Sequence, residues 1–270
     1  LIMVLAWLIY FELAVKKLTF AMLDVGQGEA LFIESPTGVQ ILVDGGPNRK
    51  VLGQLAQVMP AFDRTLDVII ITNPDQDHIA GFLDILKVYQ VGKVFEPGTL
   101  TDSKTYQNLK EKIKKNKIPN FLVKKGMRLN MGGGALIDIL FPDRDVSYWS
   151  TNDGSIVARL SYGNTSVMLT GDASIKTEKI ILNENSQAQL KSNILKVGHH
   201  GSRTSTSPEF VQAVSPTYAL ISDGKNNKYG HPHEETLDTL TQFGVKILRT
   251  DTLGTIIIKC AKINICEINK

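Results

Sequence analysis

The sequence predicts one α/β domain in which two β-sheets lie inside and helices cover both outer faces. Short apolar segments alternate with longer segments of helical periodicity, and each half of the chain runs strands, helix, strand, helix. No linker rich in Gly, Pro or Ser separates the two halves. Because hairpins mix with helical crossovers, the pattern excludes a doubly wound parallel sheet and favours two packed mixed sheets.

The first half begins with three short strands, separated by turn signals at Gly26-Gln27-Gly28 and Pro36-Thr37-Gly38. The DVIIIT segment, residues 67–72, is apolar and β-branched, which is typical of a strand buried on both faces. The predicted strands are 18–23, 30–34, 39–44 and 67–72. The predicted helices are 51–59, 79–89 and 104–117.

The second half is predicted to contain a hairpin around Gly163-Asn164, with strands 156–162 and 166–170. Pro208 suits the first turn of a helix over 208–214. Further strands are predicted around 121–123 and over 135–141, 194–197, 218–222, 246–249 and 255–259. Further helices are predicted over 175–182 and 234–243.

Composition narrows the class of protein. Hydrophobic residues make up 43% of the 270 residues and charged residues 21%, which excludes a disordered or low-complexity chain. The net charge of +3 excludes a highly basic nucleic-acid packaging protein. Cys260 and Cys266 lie near the C-terminus without a CxxC spacing, so we expect neither a zinc ribbon nor a disulfide scaffold.

Residues 1–11 form an uninterrupted apolar run. The run is shorter than the stretch of about 20 residues that spans a bilayer, and neither a basic segment nor a small-residue cleavage site marks a signal peptide. Trp7 and Tyr10 lie where an interfacial aromatic belt is expected, which favours the end of a transmembrane helix or an apolar anchor over residues 1–14. The alternative is a short hydrophobic helix packed on the main domain, which covers residues 18–270.

The histidines fall at the ends of predicted strands or in the loops just after them, where catalytic groups collect. The strongest group is Asp75, Asp77 and His78, between a buried strand and a helix. A helix cap would explain one aspartate, but not two together with a histidine. The other groups are Gly171-Asp172, His199-His200 and His231-Pro232-His233. Nitrogen and oxygen ligands without thiolates suit Zn, Mn or Fe in a hydrolytic metal site.

The order of these groups resembles that in metallo-β-lactamase-fold hydrolases, with Val43-Asp44-Gly45-Gly46 as a further shared motif. Asp24-Val25-Gly26-Gln27-Gly28 and His199-His200-Gly201-Ser202 are similar, more narrowly, to the C-terminal domain of ComEC-type DNA-uptake proteins. The resemblance covers about residues 18–260. It implies a four-layer αββα sandwich, with the site along one edge of the sheets, that follows a membrane domain and degrades one DNA strand during uptake.

The resemblance also implies two divalent metal ions, Zn or Mn, bridged by Asp172. The implied metal ligands are Asp75, Asp77, His78, Asp172 and His199, with Asn73 and Asp153 as weak ligands. The implied supporting residues are Asp44, Asn152, His200 and Ser202. The implied catalytic residues are Asp77, which would orient the attacking water, and His231 and His233, which would face the scissile phosphate.

Asn73 departs from the family pattern, which usually has histidine at this position. An amide oxygen is a poorer metal ligand than imidazole, so the first metal site would rest on the oxygens of Asp75, Asp172 and Asp153. Such a site would prefer Mn or Mg to Zn, or bind its ion weakly.

A basic stretch follows in the middle of the chain. It is interpreted either as a track for a phosphate backbone or as a solvated helix face. Its members are Lys110, Lys112, Lys114, Lys115, Lys117, Lys124, Lys125 and Arg128.

The sequence thus predicts a metal-dependent phosphodiesterase, a nuclease that degrades DNA at the bacterial cell membrane, with the hydrolase domain on the outer face. The expected partners are single-stranded DNA, the membrane through the N-terminal segment or a preceding domain, and other DNA-uptake proteins. Two alternatives stay open. One is a degenerate domain that binds DNA or a partner without turnover, and the other is a hydrolase of another phosphodiester, such as a cell-wall choline ester.

Overall fold

The computed structural model describes residues 17–262 and 266–269. The anchor predicted over residues 1–14 lies outside these ranges and stays a prediction. Among the helices of the described ranges, none combines the length and the apolar character needed to cross a membrane.

Two mixed β-sheets form the centre of the described structure. The strands of the first sheet are β1 (Leu18–Met22), β2 (Leu31–Glu34), β3 (Gln40–Val43), β4 (Thr65–Ile70), β5 (Gln90–Glu96), β6 (Asn120–Leu122), β14 (Ile256–Cys260) and β15 (Glu267–Asn269). Those of the second are β7 (Arg128–Gly132), β8 (Ala135–Phe141), β9 (Val157–Tyr162), β10 (Thr165–Leu169), β11 (Ile194–Lys196), β12 (Tyr218–Ile221) and β13 (Lys246–Arg249). The spatial orders are β15-β14-β1-β2-β3-β4-β5-β6 and β13-β12-β11-β10-β9-β8-β7.

Helices cover the outer face of each sheet. The first sheet carries Lys50–Val58, Gln76–Ile79, Phe82–Val88 and Lys104–Lys115, and the second carries Ile175–Glu184, Gln187–Leu190, Pro208–Val214 and Glu234–Gln242. The short helix Thr250–Leu253 follows β13, and a 3₁₀ turn spans Gly198–Gly201. The strand β1 shows why four layers form. Phe20 and Met22 pack into the core between the sheets, while Ala21 packs into the core beneath the helices.

The strand β5 was missed in the sequence because its first half is polar and exposed and contains Gly92. It forms by parallel pairing with β4. A Cβ atom at Gly92 would lie 2.6 Å from the carbonyl oxygen of Asp67, so glycine permits this close approach of the two backbones.

The predicted helix 79–89 is two helices in the structure, Gln76–Ile79 and Phe82–Val88. The first begins at Gln76 because Asp75 has extended backbone angles and stands at the N-cap position. His78 therefore lies within a helical turn rather than in the loop before it.

The two cysteines are a correction to the sequence prediction. Cys260, at the end of β14, is joined by a disulfide to Cys266, which precedes β15. Antiparallel pairing of β14 with β15 brings these residues together. A spacing of six residues carries no recognised motif, so the disulfide could not be predicted from the sequence.

Candidate metal centre

The candidate site lies at one edge of both sheets, where the functional residues follow the ends of strands. β3 and β4 run parallel, as do β10, β11 and β12, so the carboxyl ends within each group point the same way. Such an edge is where α/β proteins place ligands. The groups that meet there are Asp44 after β3, residues 73–78 after β4, Asp172 after β10, His199 and His200 after β11, and His231 after β12.

His78 is the centre of a buried set of hydrogen bonds. Its Nδ1 lies 2.7 Å from Asp44 Oδ2, and its Nε2 lies 3.0 Å from Asp172 Oδ2. Thr72 donates its backbone N–H and its hydroxyl to the same Asp44 carboxylate, at 2.8 and 2.5 Å. Burial by itself lowers the pKa of His78, but Asp172 and Asp44 outweigh burial and raise that pKa well above its usual value. Asp44 thus orients the imidazole so that Nε2 faces Asp172.

His200 and Asp77 form the second half of the cluster. His200 Nδ1 lies 2.8 Å from the carbonyl oxygen of Ser222, to which it donates, so Nε2 is the ligand atom of the neutral ring and donates to Asp77 when the ring is protonated. That Nε2 lies 3.2 Å from Asp77 Oδ2 and 3.7 Å from Asp172 Oδ2. Burial raises the pKa of Asp77, but the hydrogen bond from His200 and the charge of His78 outweigh burial, so its pKa is lowered.

The sequence interpretation placed His199 ahead of His200 as a metal ligand, and the geometry favours the opposite order. Both residues have left-handed backbone angles, with φ of 46° and 55°, which is strained for non-glycine residues. In this turn the His200 ring is buried, whereas the His199 ring is partly exposed. His199 Nε2 is 3.9 Å from Asp172 Oδ2, and its Nδ1 is 3.1 Å from the Thr204 hydroxyl.

These residues fit a divalent cation. Asp77, His78 and His200 offer ligand atoms that all lie within 4.8 Å of one another. Asp172 Oδ1 is buried and has no hydrogen-bond partner among the described residues, although Oδ2 faces both imidazoles. Burial raises the pKa of Asp172, but His78 and His200 reverse this and lower it well below its usual value. Two imidazoles and two carboxylates form a donor set suited to Zn or Mn.

Asn73 and Asp75, expected at the first metal site, make hydrogen bonds within the protein. Asn73 Oδ1 accepts a hydrogen bond of 2.9 Å from the backbone N–H of Asp75, so this amide oxygen is occupied within its own turn. Asp75 Oδ2 accepts from the Thr151 hydroxyl at 2.8 Å. Burial raises the pKa of the Asp75 carboxyl. Asn73 and Asp75 are thus each engaged in a hydrogen bond at this turn.

Asp153, expected as a weak ligand, makes its side-chain contacts with residues at the start of a helix. Its Oδ1 accepts from the Ser174 hydroxyl at 2.5 Å, and its Oδ2 pairs with Lys176 at 3.1 Å. These contacts tie the carboxylate to the start of helix Ile175–Glu184. The adjacent Asn152 fits a supporting role better, since its Oδ1 is buried without a hydrogen-bond partner among the described residues.

His231 and His233 line the open side of the cluster. The His231 ring lies 5.5 Å from that of His199 and 4.8 Å from that of His233. Burial, followed by the charges of His199, His200 and His233, lowers the pKa of His231 to about 4. His231 is therefore a neutral ring at neutral pH. His233 Nδ1 accepts from the backbone N–H of Arg203 at 3.1 Å.

Ser202 lies in the loop that follows the histidine pair. Its side chain is buried, and its hydroxyl lies 3.0 Å from that of Thr204, which also contacts His199. This arrangement supports the loop and the orientation of the His199 ring.

A buried ion pair between Lys196 and Glu29 lies directly behind the cluster, and the sequence analysis assigned it no role. Both side chains are fully buried. Lys196 Nζ also donates to the carbonyl oxygen of Gly171 at 2.6 Å and lies 3.6 Å from Asp172 Oδ1. The signal in the sequence was a lysine in the otherwise apolar strand β11. A lysine that is fully buried almost always has an acidic partner, so this residue could have predicted a buried ion pair.

The Asp24–Gly28 loop, between β1 and β2 of the first sheet, supports the cluster. Gly28 lies so close to the backbone of Asp77 that an added Cβ would contact the Asp77 carbonyl oxygen, and it would lie 2.8 Å from Pro47. The carbonyl oxygen of Gly28 accepts from the Ser222 hydroxyl at 2.7 Å. The Gln-Gly pair of this motif thus joins the loops of the two sheets.

Replacing Asn73 tests whether the first site is the weaker one. Asn73→His is expected to raise the bound metal from about one ion per chain toward about two, because imidazole binds zinc better than an amide oxygen. Metal content after dialysis, measured by mass spectrometry, checks this result. Asn73→Ala is the matched control, since it also removes the turn hydrogen bond but adds no ligand. A native chain that already holds two ions tightly would show that Asn73 is no deficit.

Comparison with known proteins identifies the family and supports the fold. A family model described as the metallo-beta-lactamase superfamily matches residues 23–222. The chain is 32% identical over 252 residues to ComE operon protein 3 of Bacillus subtilis, covering 87% of this chain and 32% of that protein. It is 28% identical over 233 residues to competence protein ComA of Neisseria gonorrhoeae, covering 86% of this chain and 31% of that protein. The chain thus spans about a third of the length of these relatives.

The solved structure of the metallo-beta-lactamase fold protein YhfI from Bacillus subtilis has a TM-score of 0.57 with this chain at 16% identity. The match covers 86% of this chain and 96% of that one. At this identity the likeness concerns the fold alone. It confirms the predicted sandwich of two sheets between helices.

Proposed function

Because the chain belongs to the metallo-β-lactamase superfamily, we propose that it is a metal-dependent phosphodiesterase, a nuclease that degrades DNA at the membrane during DNA uptake. The observation that carries the proposal is the convergence of Asp77, His78, Asp172 and His200 at an open sheet edge. The competence-related names of its relatives support DNA as the substrate.

The four residues of the cluster would hold a divalent ion, which when bound supplies Lewis-acid stabilisation of charge on phosphoryl oxygens. Asp77 is the carboxylate that reaches solvent, with 37% of its side chain exposed against 3% for Asp172. Asp77 is therefore placed to accept a proton from an attacking water and to orient it. Asp172 is held by His78 and Lys196 on the buried side of the cluster, and it would fix the position of the bound ion.

The loops on the open side would bind the phosphate. His231 is a neutral ring and can exchange hydrogen bonds with phosphate oxygens, while His233 lies beside it. Exposed cations on neighbouring loops, including Arg203 and Lys228, add attraction for the DNA backbone.

We place the domain at the outer face of the cell membrane. The Cys260–Cys266 disulfide supports this location, because disulfides persist in oxidising compartments and are rare in the cytosol. The competence relatives support an association with the DNA-uptake machinery.

A domain that binds DNA or a partner without turnover is the second candidate. Asn73 favours it, because an amide oxygen is a poorer metal ligand than imidazole and this one already accepts a hydrogen bond from the Asp75 backbone. Hydrolysis of another phosphodiester would use the same cluster, so substrate comparison is needed to separate it from nuclease action.

The test is a nuclease assay on the purified chain with defined metals. We expect cleavage of an end-labelled single-stranded oligonucleotide with Mn²⁺ or Zn²⁺, its loss in EDTA, and its loss in His200→Ala. Asp84→Asn, a surface carboxylate paired with Lys87, is the control that should keep wild-type activity. DNA binding without cleavage under every metal would instead establish the non-catalytic candidate.

The basic stretch provides a further test of DNA as the ligand. Three of its members are engaged within the protein: Lys110 with Glu96, Lys125 with Glu184 and Arg128 with Asp138. Of the other five, Lys112, Lys114 and Lys115 lie together at the end of helix Lys104–Lys115, which is the candidate track.

Neutralising Lys112, Lys114 and Lys115 together to Gln is expected to weaken DNA binding and to reduce the slope of log affinity against log salt by about 2, at roughly 0.7 per phosphate contact of a single strand. Fluorescence anisotropy across a salt series measures both. An unchanged affinity and slope would identify this segment as a solvated helix face.

A further inference from the structure

A series of stacked rings leads from the metal cluster to the surface. The buried His200 ring lies 6.3 Å from the His231 ring, at an interplanar angle of 29°. The His231 ring in turn lies 5.7 Å from the Tyr229 ring, at 23°. Tyr229 is 55% exposed. The exposed part of the Tyr229 ring thus lies one imidazole away from the cluster.

The loop that carries Tyr229 is fixed by Asn227. The Asn227 Oδ1 accepts hydrogen bonds from the backbone N–H groups of Tyr229, at 3.1 Å, and of His231, at 3.0 Å. Its Nδ2 donates to the carbonyl oxygens of Gly224, at 3.0 Å, and of His231, at 2.6 Å. The Asn227 amide therefore holds the backbone on both sides of Tyr229. The position of this backbone relative to the cluster is thus set before any ligand binds.

Positive charge accompanies the ring. Lys228 Nζ lies 5.0 Å from the centroid of the Tyr229 ring, and Lys225 is exposed on the same loop. A single exposed aromatic is ordinary on a protein surface. An aromatic ring beside cations, at the mouth of a site for phosphate, is the combination by which proteins bind single-stranded nucleic acid.

We propose that Tyr229 is a stacking platform for an unpaired nucleobase next to the scissile phosphate. This inference rests on the proposed nuclease function and adds a binding subsite for the base. A base in a duplex already stacks within its own helix and is not available to the ring, so the subsite selects single strands. Every base has a π-face, so we expect little sequence preference.

Comparing intact and abasic strands tests the subsite. The first substrate is a single-stranded oligonucleotide, and the second has the same length and charge but carries abasic tetrahydrofuran units around the cleavage position. Tyr229→Ala is expected to raise KM for the intact strand about tenfold, the effect of losing one base–aromatic stack. On the abasic strand the variant and the wild type should be equal. Tyr229→Phe keeps the ring and should behave as wild type on both.

Phe62→Ala is the matched control, since Phe62 is 98% exposed but precedes β4, at the opposite end of that strand from Asn73. It should leave both substrates unaffected. An equal effect of Tyr229→Ala on intact and abasic strands, or no effect on either, would overturn the stacking subsite while leaving the nuclease proposal standing.

A binding measurement separates this inference from the proposed function. A 2-aminopurine base in the oligonucleotide loses fluorescence when it stacks, and this readout needs no turnover. Quenching by wild type and Tyr229→Phe, but not by Tyr229→Ala, supports the subsite. If the wild type cleaves no strand with any divalent ion, the nuclease proposal fails, and the quenching result still decides whether Tyr229 stacks a base.

Discussion

Asp172→Ala is expected to lower metal affinity by more than about 100-fold, beyond the loss typical of removing a residue that only orients a ligand. Asp172 Oδ2 lies within 3.0 to 3.9 Å of the Nε2 atoms of His78, His200 and His199, so one carboxylate faces three imidazoles. Phosphodiesterase activity should fall with metal content. Metal analysis after dialysis and rates on single-stranded DNA measure the two losses.

Two further variants make this result specific. Asp172→Asn keeps the shape of the side chain and should lose metal as the alanine variant does, because the charge rather than the volume is required. Asp84→Asn removes a surface carboxylate and should retain both metal and activity. If Asp172→Ala kept its full metal content, the assignment of Asp172 as a shared ligand would be wrong.

Lys196→Met is expected to lower the free energy of unfolding by about 3–5 kcal/mol, because removing one partner leaves the other charge buried and unpaired. Glu29 is fully buried, and Lys196 is the cation that contacts it. The loss of the hydrogen bond from Lys196 to Gly171 adds to the effect. Urea denaturation in EDTA measures the change without any contribution from bound metal.

The double variant Glu29→Gln with Lys196→Met separates charge from packing. We expect it to be more stable than Lys196→Met alone, since replacing both members removes the unpaired charge. Lys191→Met changes an exposed lysine near the start of the same strand and should have a small effect. A Lys196→Met variant within about 1 kcal/mol of wild type would contradict the importance of this pair.

The local pattern of the chain was sufficient to predict most of the sandwich. The segment 67–72 is apolar and β-branched, and the structure places the strand Thr65–Ile70 between β3 and β5, with Leu66 and residues 68–70 buried. The bounds predicted for Ala135–Phe141, Pro208–Val214 and Lys246–Arg249 agree with those of the structure. These elements were predictable because their burial follows from the periodicity of a few neighbouring residues. The strand β5 was not, since its pairing with β4 overrides a polar sequence.

Residue chemistry at the strand ends likewise predicted which side chains would meet. Asp77, His78 and Asp172 lie in the cluster because loops at the ends of neighbouring strands share one edge. The role of Asp44 behind His78 was also anticipated, and the hydrogen bond of 2.7 Å is consistent with it. Which atoms bind metal stays a prediction that the variants above examine.

The sequence by itself determined the two-sheet architecture, the position of the candidate metal ligands at strand ends and the resemblance to a hydrolase family. Tertiary structure alone decided which of His199 and His200 enters the cluster, since left-handed backbone angles in that turn set the direction of each ring. Tertiary structure alone also decided the pairing of Glu29 with Lys196, because the two residues belong to segments of different sheets that are distant in the chain. Periodicity reports what neighbouring residues share, whereas side-chain direction and buried pairing depend on contacts between segments distant in the chain.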